Sequence, residues 1–388
     1  MGELSYAVQL AQKLIRCPSV TPEQAGTLDL LEIELEGIGF SCTRLSFGEG
    51  LNKIENLYAV LGEGPAHFAF AGHVDVVPVG KAEEWQFAPF DAKIKDGNLY
   101  GRGAADMKSG IAAFVSAIRQ WCNTTKKQTK ISLIITGDEE ADAVNGTVKM
   151  IEWMRQQDIH PDMCVVAEPT SQAEIGDIIK NGRRGSLTGE IAVRGTQGHV
   201  AYPHLAHNPT AALIQMLAPV TSVELDGGND YFTPSTAEVT GFSTSSCVSN
   251  VIPATANALF NIRFNTEHTA ENLQGWLTEH FQRIATKYQV QFDVEWKSNA
   301  APFVTKAGKL TQIMSEAIFA QTGKHAQLST AGGTSDARFI TYLCPVAEFG
   351  LVGKTMHKID ENVAINDIDL LAKIFEDMLH RFDANNEY

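Results

Sequence analysis

Short apolar runs alternate with helically spaced apolar residues along the first half of the chain. Residues 56–61, 67–71, 131–136 and 163–167 are compact apolar runs that predict strands, whereas 111–121 and 144–156 carry a helical period. Residues 1–16 predict an amphipathic helix with Leu4, Val8, Ala11 and Ile15 on one face. Alternation of this kind predicts an α/β fold, with a mixed, mostly parallel sheet flanked by helices.

The rhythm changes near Gly185. Residues 187–194 and 254–264 alternate apolar with polar, as half-exposed strands do, and 289–296 reads as a third strand. Between them, 208–217 and 271–288 have helical spacing. From about residue 300 the earlier character returns, with a helix at 309–322, a strand at 344–349 and a last helix at 367–381. The expectation is a larger domain made of 1–184 and 299–388, with a smaller α+β domain, 185–298, inserted in it. No internal repeat interrupts this pattern.

Composition narrows the functional classes. A chain of 388 residues exceeds one ordinary core, in keeping with two domains. Lys and Arg number 31 against 46 Asp and Glu, a net charge of −15 that repels a phosphate backbone, so no nucleic-acid partner is expected. An anionic ligand would need a local basic pocket. Cys17, Cys42, Cys122, Cys164, Cys247 and Cys344 are scattered without a CxxC pair, which argues against a zinc ribbon or a dithiol redox site. Reduced, mostly buried thiols are expected. No apolar stretch approaches the roughly 20 residues of a membrane span. The N-terminus has no uninterrupted apolar export segment, so no membrane partner and a cytoplasmic location are expected.

The chemistry concentrates just after the predicted strands, where open α/β sheets form their ligand sites. AGHVDVVP (71–78) puts His73 at a strand end and Asp75 two residues on, on the same side of an extended chain. LYGRGAADMKSG (99–110) presents Asp106 after a glycine-rich turn, GDEE (137–140) follows a strand, and VVAEP (165–169) ends on Glu168. TMHKIDE (355–361) places His357 before the last helix. Each has a structural alternative: a strand-end His, an N-cap Asp, a solvated acidic loop. Taken together, nitrogen and oxygen donors without thiolate suit a catalytic zinc site. Within GDEE, one carboxylate would bind metal and its neighbour would stay free to take a proton from water.

These motifs, with KNGRRGS (180–186), GHVAYPH (198–204), NVIP (250–253) and GGTSD (332–336), resemble the zinc aminoacylase/carboxypeptidase superfamily of metallopeptidase-like hydrolases over nearly the whole chain. Within it, 180–186 and 198–204 are most similar to the succinyl-diaminopimelate desuccinylases of lysine and diaminopimelate biosynthesis. The resemblance implies two Zn2+ per subunit, with Co2+ as a substitute. Asp106 would bridge them, His73 and Glu168 completing one site, Glu140 and His357 the other. Glu139 would be the general base and acid, and Asp75 would orient His73. The inserted domain would be a ferredoxin-like lid that also forms a homodimer, and its His199 would reach the other subunit's site to stabilise an oxyanion. Lys180, Arg183, Arg184 and Arg263 would grip substrate carboxylates, with Ser186, Tyr202, Asn250, Gly333 and Thr334 as further substrate contacts. The reaction implied is hydrolysis of N-succinyl-LL-2,6-diaminopimelate. Acetylornithine deacetylase, other N-acyl-amino-acid deacylases and zinc carboxypeptidases share the metal motifs, and only pocket residues separate them.

Overall fold

Buried strands organise the larger of two units in the computed structural model, which describes residues 3–124 and 129–385. This unit comprises the chain up to Asn181, Thr305–Ser329, and the chain from Ser335 on; the smaller comprises Gly182–Val304 and Thr330–Thr334. The divisions fall a few residues outside the expected insert. The segment Thr330–Thr334, expected in the larger domain, clusters with the smaller unit.

The larger unit carries an eight-stranded sheet in the order Ser41–Phe47, Ile54–Leu61, Lys130–Thr136, His67–His73, Met163–Val166, Val346–Glu348, Ile178–Lys180, Gln327–Ser329. Lys130–Thr136, His67–His73, Met163–Val166 and Val346–Glu348 run parallel; Ile54–Leu61 pairs antiparallel with both Ser41–Phe47 and Lys130–Thr136, and the Val346–Glu348/Ile178–Lys180 pairing is antiparallel. Every residue of His67–His73 is buried, as a central strand covered on both faces requires. Phe68 and Phe70 turn to one face, onto Phe114 of helix Lys108–Thr124 and Phe375 and Phe382 of helix Ile365–Ala384. Tyr58, in register with Ile134 and so on the opposite face, meets Trp153 of helix Thr147–Gln156. Helices therefore cover both faces, and the mixed, mostly parallel α/β sheet is observed.

The smaller unit runs β-α-β-β-α-β: Gly185–Arg194, Pro209–Met216, Thr236–Thr244, Thr255–Phe264, Ala270–Tyr288, Gln291–Ala300, with a short helix Ala218–Ser222 besides. Its sheet order, Thr236–Thr244, Thr255–Phe264, Gly185–Arg194, Gln291–Ala300, is antiparallel throughout and has the ferredoxin-like arrangement. Alternate residues Leu187, Ile191, Val193, Phe260, Ile262 and Phe264 meet Leu213, Leu277 and Phe281 of the helices in one core.

Several elements differ from expectation. Strand Thr236–Thr244 was not anticipated; it is a Thr- and Ser-rich edge strand with a register break between Val239 and Gly241, so its alternation is broken. Helix Thr27–Glu36, with Leu28, Leu31 and Leu35 buried, was likewise not anticipated. The helix expected from residue 144 begins at Thr147, because Val144 and Asn145 donate their N–H groups to Asp138 Oδ2. Only Cys164 and Cys344 are buried; Cys17, Cys42 and Cys122 are half-buried and Cys247 is exposed, which corrects the expectation of mostly buried thiols. Among the described residues no helix is long and apolar enough to cross a membrane.

Candidate metal centre and catalytic site

Three parallel neighbours deliver the site. His73 is the last residue of its strand, residues 137–140 follow Thr136, and Glu168 lies two residues beyond Val166. Parallel strands end on one edge of the sheet, so these segments converge. Two glycines allow the fourth to join. Gly103 sits at φ +84, and a Cβ on Gly110 would lie 2.8 Å from the Ala167 carbonyl oxygen, so helix Lys108–Thr124 packs directly against the segment that carries Glu168.

The donor atoms form two groups that share Asp106: His73, Asp106 and Glu168, and Asp106, Glu140 and His357. Within each group the ligand atoms lie within 4.8 Å of one another. His73 Nε2 is 3.1 Å from Asp106 Oδ1 and 3.8 Å from Glu168 Oε1. His357 Nε2 is 3.2 Å from Asp106 Oδ2 and 3.0 Å from Glu140 Oε1. The Asp106 carboxylate thus offers one oxygen to each group.

The electrostatics call for positive charge at both places. His73 Nδ1 lies 3.0 Å from the Asp75 carbonyl oxygen, an acceptor only, so Nδ1 carries a proton and donates. A neutral His73 then points the Nε2 lone pair at two carboxylates, which is favourable only around a cation or with a second proton. Burial disfavours charge on His73, yet Asp106 beside it outweighs that and holds the ring well above the usual imidazole range. Hydrogen bonds to Asp106 and Glu140 push His357 up to about 10. Burial would raise Asp106, but its bonds to His357 and His73 hold it below the ordinary carboxylate range. Glu168 is pushed well up by burial and then by Asp106 and Glu139, and its Oε1 is buried without a hydrogen-bond partner. An orphaned carboxylate oxygen facing an imidazole lone pair fits a metal ion held by nitrogen and oxygen donors.

The three acids of GDEE take three roles. Asp138 is structural, pinning the loop at 144–145. Glu140 joins the second donor group, and Glu139 belongs to neither. Burial and the nearby acids keep Glu139 well above the usual carboxylate range, a setting suited to a proton acceptor. Asp75 departs from its expected mode. Its carboxylate stands 3.7 Å from His73 Nδ1, and the His73 bond goes to its main-chain oxygen. The carboxylate instead accepts from Thr21 Oγ1 (2.7 Å), Glu139 N (3.3 Å) and Glu140 N (3.1 Å), setting the backbone of the base and its neighbour.

Lys180, also in the larger unit, is buried in the sheet with Nζ 3.0 Å from Ser329 Oγ. In the smaller unit, Arg183 Nη1 donates to the Gly333 carbonyl at 3.2 Å, with Thr334 next in the chain. Ser186 faces Arg263 in register and accepts from Asn261 Nδ2 at 3.1 Å. Burial, then the neighbouring Arg184, lowers the Arg263 guanidinium. His199 and the exposed Tyr202 have ring centroids 5.7 Å apart, and the Asn250 carbonyl accepts from Val200 N in the adjoining loop.

Two buried groups near the donors carry roles that no motif announced. Arg102 and Glu361 form an ion pair at 2.7 Å with almost no exposure. Asp336 is buried, with Arg338 Nη2 3.8 Å away, and burial pushes it up to about 6. The only sequence signal was their place inside the motifs at 99–110, 332–336 and 355–361.

Residues 69–381 match the family model described as peptidase family M20/M25/M40. The chain is 48% identical over 382 residues to a succinyl-diaminopimelate desuccinylase of Rhodospirillum centenum, covering 98% of both chains. It is 46% identical over 377 residues to the enzyme of that name from Pelagibacter ubique, covering 97% of this chain and 98% of the other. Among solved structures, an M20 metallo-carboxypeptidase of Sulfolobus solfataricus superposes with a TM-score of 0.78 at 18% identity over 98% of this chain and 100% of the other. A dinuclear metal-binding peptidase of the M20 family from Bacillus subtilis gives 0.72 at 14% identity, over 97% of each.

Proposed function

Since the chain belongs to peptidase family M20/M25/M40, whose members are metal-dependent hydrolases, we propose that it hydrolyses the amide of N-succinyl-LL-2,6-diaminopimelate to succinate and LL-2,6-diaminopimelate, a step of diaminopimelate and lysine biosynthesis. The observation that carries this reading is the pair of donor groups sharing Asp106, with a half-buried carboxylate at Glu139 that belongs to neither group beside them. The full-length similarity to desuccinylases selects the substrate among the amidohydrolases that such a centre would serve.

His73, Asp106 and Glu168 would hold one zinc ion, and Asp106, Glu140 and His357 the other, with Co2+ able to replace them. Bound there, two dications would supply Lewis-acid polarisation of the scissile carbonyl and would lower the pKa of water. Glu139 takes a proton from a water molecule as its oxygen adds to the amide carbonyl carbon. Glu139 then gives that proton to the leaving nitrogen as the C–N bond breaks, so the carboxylate ends as it began. Asp75 keeps Glu139 in reach through the Glu139 and Glu140 N–H groups. In this reading the smaller unit is a lid and a homodimer interface, and His199 donates to the oxyanion in the dimer. Arg183, Arg184, Arg263 and Lys180 recognise the substrate carboxylates, a task for which Arg has the right fork of donors.

The deciding experiment is a steady-state comparison on zinc-loaded protein. The expected result is a kcat/KM for N-succinyl-LL-2,6-diaminopimelate far above that for N-acetylornithine. A preference for the acetyl substrate would remove the proposed specificity and leave the amidohydrolase chemistry in place.

A further inference from the structure

Beneath the donor atoms lies a buried clamp built from Glu361 and Arg102. Glu361 has no exposed surface and Arg102 is 3% exposed. Each Glu361 oxygen accepts two hydrogen bonds, all from the loop that presents Asp106. Oε2 takes Arg102 Nη1 at 2.7 Å and Gly103 N at 3.1 Å. Oε1 takes Ala105 N at 2.8 Å and Asp106 N at 3.1 Å. Arg102 in turn donates to the Lys358 carbonyl and to the Pro78 carbonyl, both at 3.3 Å, and its guanidinium lies 5.2 Å from the Trp85 ring centroid. One ion pair thereby ties together the chain after His73 and Asp75, the loop of Asp106, and the segment after His357.

That last segment does not hold its shape unaided. His357 and Asp360 have φ of 62 and 57, the left-handed region that residues with a Cβ seldom occupy. Such conformations persist where surrounding contacts over-determine them. Here the bonds of the Lys358 carbonyl and the Glu361 carboxylate are among those contacts, beside Gln86 N to Asp360 Oδ1 and Asn362 Nδ2 to the Asp360 carbonyl.

We propose that Glu361, with Arg102 as its counter-ion, is a positioning residue for the two-metal centre, fixing the backbone of the shared ligand Asp106 against the segment that carries His357. The inference rests on the reading of His73, Asp106, Glu140, Glu168 and His357 as metal ligands. Glu361→Gln keeps the side-chain volume but turns one acceptor oxygen into a donor facing groups that already donate. The Asp106 loop must then shift although the packing is unchanged.

The test compares metal binding, apart from turnover, in chelator-stripped parent, Glu361→Gln, Arg102→Lys and a control, Met378→Ala, in helix Ile365–Ala384. Circular dichroism reports the fold, zinc competition with a chromophoric chelator reports affinity, and the cobalt absorption spectrum reports coordination geometry. Glu361→Gln is expected to keep parent helicity, bind zinc about 10- to 100-fold more weakly and alter the cobalt spectrum. Arg102→Lys should follow in the same direction and decides the matter if Glu361→Gln does not fold. Met378→Ala should lose stability with zinc affinity unchanged. Parent affinity and an unchanged cobalt spectrum in the folded clamp variants would overturn the proposal. So would a loss of zinc affinity in Met378→Ala, which would make the effect one of general stability. A parent that binds no zinc or cobalt would instead remove the ligand reading itself.

Discussion

His67 opens the central strand at the end opposite His73, and its burial makes a prediction about acid stability that is independent of the metal centre. It is 4% exposed, and its Nε2 lies 2.8 Å from Ser132 Oγ on the neighbouring strand. Burial, then the charge of Lys130, lowers its pKa from 6.5 to about 4. The unfolded chain therefore takes up the proton first. As pH falls from 6.5 towards 4 the unfolded state gains protonation energy that the folded state does not, and stability declines; below about 4 both are protonated and the loss levels off. With those two values, linkage gives a loss of about 1.4 kcal/mol at about pH 5.5 and about 2 kcal/mol at about pH 5, approaching about 3 kcal/mol at the plateau.

The perturbation is His67→Gln, whose amide reaches Ser132 but does not titrate. Urea unfolding of chelator-stripped parent and variant, at steps between about pH 7.5 and about pH 4.5, gives two stability curves. Site acids and the other histidines contribute to both and cancel in the difference. The parent should lose its advantage over the variant progressively below about pH 6.5, by the amounts above. A difference that stays flat over that range, or a parent that gains on the variant with acid, would refute a buried neutral imidazole at His67.

Replacing Glu139 with Gln should lower kcat by about 10²- to 10⁴-fold with both metal equivalents retained by elemental analysis, because Glu139 belongs to neither donor group. Phe114→Ala should cost about 3–5 kcal/mol in urea unfolding. Its ring is 1% exposed, stacks on Phe70 at 3.9 Å and meets Phe375 edge-on at 5.4 Å, so truncation leaves a cavity between sheet and helices. Adding zinc to stripped protein at about 100 times its Kd should stabilise by about 2.7 kcal/mol, read as a rise in Tm that chelator reverses.

Five strands of the central sheet were legible because they lie in bare apolar runs, at 56–61, 67–71, 131–136, 163–167 and 344–349, and the site because its motifs follow such runs directly. Ser41–Phe47, Ile178–Lys180 and Gln327–Ser329 were not, the first being a polar, partly exposed strand and the others only three residues long. His73 ends its strand, and Glu140 and Glu168 lie just beyond theirs; the parallel direction of these strands follows from strand–helix alternation. What local pattern could not supply was any role that depends on which donor meets which acceptor. Nothing in GDEE distinguishes Asp138 from its neighbours; only the folded loop shows its carboxylate taken up by two backbone N–H groups. The spacing of His73 and Asp75 suggested a side-chain bond, whereas the main-chain oxygen makes it and frees the carboxylate for the Glu139–Glu140 backbone. Strand Thr236–Thr244 escaped for a different reason. It is an edge strand whose polar positions outnumber its buried ones, so no apolar period marks it.

The acidic character of the chain does not oppose its chemistry. Asp106, Glu139, Glu140 and Glu168 crowd around two imidazoles, and burial makes their mutual repulsion strong. A fold keeps such a cluster only if positive charge enters it, and the donor set favours dications over protons. Protons on both Nε2 atoms would satisfy His73 and His357 but leave Glu168 Oε1 buried and unpaired. A metal ion in each group would engage that oxygen and both imidazoles at once, and would leave Glu139, which lies outside both groups, as the carboxylate free to move a proton.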